Sequence, residues 1–231
     1  MRKYLFAALG LLSLGLASAA EAAPVLSFRV YDDNNLVGGL STSSTNGSLT
    51  AGGATPHFNV SATAFGAPFV AEPSLLAQTT TISASEGFFG THTIRVEFSQ
   101  TGLSSSSAGG LLALLATTFT SNFLVNGENV DSVTLTSYVD NGNGAFARTT
   151  QIATQTYTDG PTNASPPILA DVALTNALFS ETVVITATFT DRFAGLQSSA
   201  QIVRVPEPAS LALLGSALLG FGFVRGARRR K

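Results

Sequence analysis

Apolar residues recur at every second position through most of this chain, and that period is its strongest constraint on folding. His92, Ile94, Val96 and Phe98 alternate with Thr91, Thr93, Arg95 and Glu97, one face apolar and the other wet. That is the pattern of a half-buried β-strand. Leu26, Phe28 and Val30 against Ser27, Arg29 and Tyr31 repeat it, as do Phe58-x-Val60-x-Ala62 and Phe119-x-Ser121-x-Phe123-x-Val125. Further runs are Val133, Leu135 and Val139, then Val183-x-Ile185-x-Ala187-x-Phe189, and Ile202 to Val205. Branched and aromatic side chains dominate them, because these pack well on a pleated surface. Turn formers punctuate the runs at Asp32-Asp33-Asn34-Asn35, Gly52-Gly53, Gly66 to Pro68, Asp159-Gly160-Pro161 and Pro166-Pro167. Many short strands separated by such turns predict an all-β fold, an antiparallel β-sandwich with Greek-key or jelly-roll connections and about 8–10 strands.

Two segments need separate treatment. Asp140-Asn141-Gly142-Asn143-Gly144 lies between Ser132–Val139 and Ala145–Tyr157, both of strand composition, and predicts a tight β-hairpin. Ser104–Gly110 is small and polar, and Leu111 to Ala116 favours a helix. A flexible loop leading into a short helix or a buried strand is expected there. There is no internal repeat.

The residue inventory excludes several chemistries. The chain has no cysteine, so an exported form would have no disulfides, and thiol catalysis and thiolate metal sites are absent. Its two histidines are His57, which follows Pro56 in a turn, and His92, on the apolar face of its strand, where a buried or half-buried packing role is expected. Gly-x-Ser-x-Gly, Walker, His-Glu-x-x-His and dinucleotide-binding patterns are all missing. No catalytic residue and no cofactor are therefore expected. Asp32 and Asp33 in one turn, and Asp140 in another, are weak calcium candidates, because calcium takes oxygen ligands that Asp/Asn turns supply. Neither turn continues to the distal glutamate of an EF-hand loop, so turn formation is the favoured reading.

The two ends differ in kind from the middle. Arg2 and Lys3 precede an uncharged apolar run, Tyr4–Leu16, and then Ala17-Ser18-Ala19-Ala20-Glu21-Ala22. This is a signal peptide, with Ala20 and Ala22 as the small residues before cleavage after Ala22. Residues 1–22 are thus expected to be removed by signal peptidase and 23–204 to form the β-domain. At the other end stand Pro206-Glu207-Pro208, an apolar stretch Ala209–Val224, and the basic residues Arg225, Arg228, Arg229, Arg230 and Lys231. Proline at the start, an uncharged run and a terminal cationic cluster predict a transmembrane helix with its C-terminus on the cytoplasmic side. Sixteen residues at about 1.5 Å each span roughly 24 Å, short of a bilayer core of about 30 Å. A transient stop-transfer segment fits that length better than a permanent anchor.

Charge sharpens the division. Residues 23–205 hold five arginines, no lysine and twelve acids, a formal −7 against −2 for the whole chain. An acidic domain between two basic ends is not expected to bind nucleic acid, which needs a phosphate-neutralising surface.

The tail, residues 205–231, resembles the PEP-CTERM sorting signal of Gram-negative bacterial proteins. The resemblance rests on Pro206-Glu207-Pro208, Ala209-Ser210, the apolar run and the basic end, in that order. It implies recognition of Pro206, Glu207 and Pro208 by an exosortase, a membrane-embedded cysteine transpeptidase-like enzyme. Arg225, Arg228, Arg229, Arg230 and Lys231 would supply the stop-transfer charge. It further implies transient residence in the inner membrane, facing the periplasm, and then delivery to the cell surface or an exopolysaccharide matrix. Domains ahead of this tail are diverse in that family, so the resemblance assigns no activity to residues 23–204. The expected role is a non-enzymatic surface or biofilm-matrix protein with exopolysaccharide as a partner. The alternative is a carbohydrate-binding or polysaccharide-acting enzyme domain.

Overall fold

The computed structural model describes residues 23–158 and 162–206. The expected signal helix and transmembrane helix both lie outside the described residues. Among the described residues no helix is long and apolar enough to cross a membrane.

The domain is all-β, two antiparallel sheets packed face to face. In chain order the strands are β1 (Val25–Asp32), β2 (Asn35–Leu36), β3 (Thr42–Ser44), β4 (Ser48–Ala54), β5 (Phe58–Phe65), β6 (Ser74–Ala84) and β7 (His92–Ser104). They continue with β8 (Leu112–Phe123), β9 (Val130–Asp140), β10 (Thr150–Tyr157), β11 (Thr162–Ala164), β12 (Ile168–Ala173), β13 (Leu178–Phe189) and β14 (Gly195–Arg204). These fourteen described strands exceed the expected eight to ten, because several short edge strands carry no periodic signal. One sheet runs β10-β9-β13-β7-β1-β2, with β3 also on β1. The other runs β11-β8-β14-β6-β5-β4, with β12 also on β8.

The alternation sorts the faces as expected. Phe28, Phe58, Phe98, Phe119 and Phe189 are at most 1% exposed and fill the layer between the sheets. The Phe28 and Phe98 rings are 5.2 Å apart, and those of Phe58 and Phe189 5.1 Å. Each such side chain contributes about 1.5–3 kcal/mol by leaving water. The layer is not wholly apolar. Thr117 Oγ1 and Ser137 Oγ, from opposite sheets, bond at 3.1 Å.

Of the two forms expected after Ser104–Gly110, Leu111 to Ala116 takes the strand and not the helix. Its strand β8 lies between β12 and β14, whose ladders outweigh the helix propensity of leucine and alanine. Two other expectations are corrected. Val125 is 69% exposed, because β8 has already ended at Phe123. The hairpin after β9 is not tight: β10 begins only at Thr150. Residues 141–149 fold back over the outer face of the sheet, held there by side chains described next.

Candidate functional site

Two side-chain clusters occupy the β1–β7 flank of the first sheet. One is a carboxylate–imidazole clip at the β1–β2 turn. Asp32 pairs with Asn35, which leaves Asp33 and Asn34 as a two-residue loop with φ of 47° and 66°. Positive φ at both central residues is what a tight hairpin requires, and Asp and Asn tolerate it. The turn places two carboxylates against two imidazoles. Asp32 Oδ2 accepts from Thr55 Oγ1 at 2.6 Å and from the His57 N–H at 2.9 Å, and Asp32 Oδ1 lies 2.9 Å from His57 Nδ1. Asp33 Oδ1 accepts from the Thr93 N–H at 2.9 Å, and Asp33 Oδ2 is 2.5 Å from His92 Nδ1. The two imidazoles stack at 3.5 Å and 13°, with Phe88 edge-on to both.

His92 Nε2 lies 2.9 Å from the Phe89 carbonyl. Both nitrogens of His92 thus face acceptors, and both bonds form only with the imidazolium. Burial opposes that charge, but the hydrogen bonds to Asp33 and Phe89 and the charges of Asp33 and Asp32 outweigh it and raise the His92 pKa. Burial pushes the Asp33 carboxyl up. The Thr93 N–H, the His92 bond and the two histidine charges outweigh this and hold it below its ordinary value. His92 is thus half-buried and packed against His57 and Phe88, and it also carries an ionic pairing that the strand pattern did not imply.

Asp33, His57 and His92 each bring a potential ligand atom within 4.8 Å of the others. The rings argue against a shared ion in this arrangement. A metal about 2.1 Å from an imidazole nitrogen lies close to that ring's plane. Two nearly parallel planes 3.5 Å apart hold no common point at that distance. The cluster instead ties β1, β5 and β7 together through shared protons. Beside it lies an open cavity of about 260 Å³, lined by Asp32, Asp33, Asn35, Leu36, Val37, Pro56 and His57.

The second cluster surrounds Glu97. Its carboxylate is fully buried on the outer face of the sheet, where alternation implied a wet position. Arg29 binds Glu97 Oε2 through both Nε and Nη2 at 2.7 Å. Arg95 Nε donates to Oε1 at 2.6 Å, and Arg148 Nη2 donates to the same oxygen. Arg148 comes from the 141–149 segment, as does Phe146, whose N–H donates to Ser99 Oγ at 2.9 Å. The Arg29 guanidinium lies 4.0 Å from the Phe146 ring centre, and Arg95 lies 4.0 Å from that of Tyr31. Phe146 holds φ 58°, a conformation costly for an aromatic residue, offset by that bond and that stacking.

The remaining sequence candidates fall elsewhere. Asp140 accepts from Thr149 Oγ1 and, at 2.8 Å, from the Gly144 N–H. Burial raises its pKa, but these bonds and the Gly142 N–H outweigh it and lower the value. Its oxygens close its own loop and do not join Asp32 and Asp33. Val205 donates to the Leu114 carbonyl at 2.9 Å, and Pro206 is exposed just beyond β14. Glu207, Pro208, Arg225, Arg228, Arg229, Arg230 and Lys231, with Ala20 and Ala22, lie outside the described residues.

Neither cluster was assembled from the sequence. Asp33 and His92 are 59 residues apart, and Arg29 and Glu97 are 68. One signal was available: two of the five domain arginines, Arg29 and Arg95, fall in strands on faces read as wet.

Residues 204–231 match the family profile described as the PEP-CTERM protein-sorting motif. No curated protein matches the chain in sequence. Among solved structures, one that is similar is TmCBM61, solved in complex with β-1,4-galactotriose: 9% identity, TM-score 0.32, 68% of this chain and 88% of that one. Another is the family 22 carbohydrate-binding module of Clostridium thermocellum Xyn10B, at 10% identity, TM-score 0.30, 71% and 99%. A third is TmCBM27, a mannan-recognising carbohydrate-binding module, at 7% identity, TM-score 0.30, 69% and 85%. Likeness at that level carries nothing over to this chain.

Proposed function

We propose, for a chain that carries the PEP-CTERM sorting motif of exported proteins, that its β-domain is a non-enzymatic structural or interaction module of the cell surface or extracellular matrix. The motif is the observation that carries this reading. Signal peptidase removes residues 1–22 after Ala22. The apolar segment then holds the precursor in the inner membrane, with Arg225, Arg228, Arg229, Arg230 and Lys231 on the cytoplasmic side and the sandwich in the periplasm. The exosortase recognises Pro206, Glu207 and Pro208. Prolines on both sides of Glu207 hold an extended backbone that lacks two N–H donors, a rigid strip accessible to a peptidase.

The state of the carboxylates supports a role without catalysis. Glycoside hydrolysis needs two acids facing one substrate across a cleft. Asp32 and Asp33 are bonded to imidazoles and N–H groups. Glu97 is closed off by three arginines, and Glu181 is buried. The alternative role, carbohydrate binding, draws on the hydroxyl-rich outer face of the first sheet.

The reading is tested in cells with and without the exosortase, by comparing precursor and processed bands. Glu207→Ala or Pro208→Ala is expected to leave precursor in the inner membrane while the domain still folds. Equal processing of Glu207→Ala and wild type, or processing unchanged without the enzyme, would overturn the sorting assignment. Hydrolysis of the producer's own exopolysaccharide by the purified protein would overturn the non-enzymatic one.

A further inference from the structure

We infer that the outer face of the first sheet binds an acidic polysaccharide, a chain of uronic acid units, along the row Tyr31–Arg95–Thr186–Thr134–Thr156. The inference deepens the interaction role proposed above and rests on it for the presence of a polysaccharide.

The row follows from strand register. Tyr31 faces Arg95 across β1 and β7, Arg95 faces Thr186 on β13, Thr186 faces Thr134 on β9, and Thr134 faces Thr156 on β10. Five neighbouring strands at about 4.8 Å spacing make a strip about 19 Å long. None of the five residues is buried. The next row, Arg29–Glu97–Val184–Thr136–Thr154, is buried at Glu97, Val184 and Thr136. The 141–149 segment lies over its Arg29–Glu97 end, with Phe146 on Arg29 and Arg148 on Glu97. The strip is thus an accessible floor beside a raised wall.

Charge marks the ligand. One arginine neutralises Glu97, yet three surround it, which leaves two surplus positive charges. They sit in a domain whose formal charge is −7 and which holds only two other arginines, Arg192 and Arg204. The guanidiniums are not sealed in: the Arg29, Arg95 and Arg148 side chains are 27%, 22% and 36% exposed. Stacking on Tyr31 and Phe146 holds two of the planar forks in place, which lowers the entropy lost on capturing a carboxylate. Asp33, an exposed acid in the turn that follows β1, is bonded to His92. Beyond the cations the strip presents threonine hydroxyls, paired at Thr134–Thr156 and 2.9 Å apart. Cations at one end and hydroxyls along the rest match a polymer with one carboxylate and several hydroxyls per unit. DNA, with a charge about every 1.7 Å of helix axis, would be repelled by the rest of this acidic domain.

The full chain, purified in detergent, is run in affinity gels containing polygalacturonate, a neutral glucan, or double-stranded DNA. Retardation is expected in polygalacturonate alone, fading as salt is raised. Arg148→Gln leaves Glu97 with two arginines, so the fold is expected to survive; its affinity for polygalacturonate should fall about tenfold. Arg95→Gln should weaken it at least as much, and Arg192→Gln, away from the strip, should leave it unchanged. All variants share the basic tail, so differences among them report the sheet face. Unchanged binding by both Arg148→Gln and Arg95→Gln, with thermal midpoints confirming folded protein, would overturn the inference. So would absence of retardation, or equal retardation in DNA or neutral glucan. None of these outcomes touches the exosortase-processing and hydrolysis tests, so the module reading stands or falls separately.

Discussion

Glu97 and Glu181 lie on adjacent strands of one sheet, both fully buried, in opposite electrostatic environments. Glu97 points outward, and a loop brings arginine to it, so its negative charge is neutralised more than once. Glu181 points inward with Val183 and Ile185, next to a register shift after Phe179. Neither of its carboxyl oxygens has a hydrogen-bond partner, nor does Oε1 of its cross-strand neighbour Gln100. Burial pushes the Glu181 pKa up to about 8, so it is the neutral acid at pH 7. A sandwich can bury a carboxylate under a loop that carries charge; Glu181, with no donor beside it between the sheets, is buried in its proton-bearing form.

Removing the favourable half of this contrast should have the largest effect. Glu97→Ala leaves three guanidiniums crowded without their anion and is expected to cost about 3 kcal/mol or more, read as a fall in the urea midpoint. A loss within experimental error would mean that the arginines are adequately solvated alone and that the two glutamates differ less than their surroundings imply.

The other half should move the opposite way and depend on pH. An acid with a raised folded-state pKa favours the native state below its unfolded value of about 4.5 and loses that advantage as pH rises to about 8. Glu181→Leu should therefore stabilise by about 1–2 kcal/mol at pH 5. The gain should widen by about 1.4 kcal/mol per pH unit towards pH 8. Urea unfolding of both proteins across that range checks it, and a gain independent of pH would break the contrast.

A smaller effect concerns the clip. The raised His92 pKa adds stability that is complete below its ordinary value of 6.5 and lost as pH rises through the folded value. The lowered Asp33 pKa adds stability present above about 3.8 and lost as pH falls below it. The clip is thus strongest between those limits. His92→Gln, made in the Glu181→Leu background, should flatten the loss of stability between pH 6 and pH 8 by a small fraction of the Glu181 effect. Identical pH profiles would show that the imidazole stack is only packing.

The legibility of these regions in the sequence differed sharply. Alternation alone was enough to place Leu26, Phe28, Val30, Ile94, Val96 and Phe98 in the core, since strand faces are a property of adjacent residues. The same rule put Glu97 on the outer face correctly and its exposure wrongly, because the loop that covers it comes from 51 residues further on. The ionic pairing of His92 was not legible for a related reason: Asp33 arrives from a turn that alternation does not connect to β7.

The sequence by itself therefore determined the all-β character, most strand faces and the sorting motif, each encoded in contiguous residues. Only the tertiary structure decided that β1 lies beside β7 and β7 beside β13. That adjacency sets Arg29 opposite Glu97, Tyr31 opposite Arg95 and Glu181 opposite Gln100. Register between distant strands is settled by the packing of the whole sandwich, where sliding one strand by a residue would turn its entire apolar face to water.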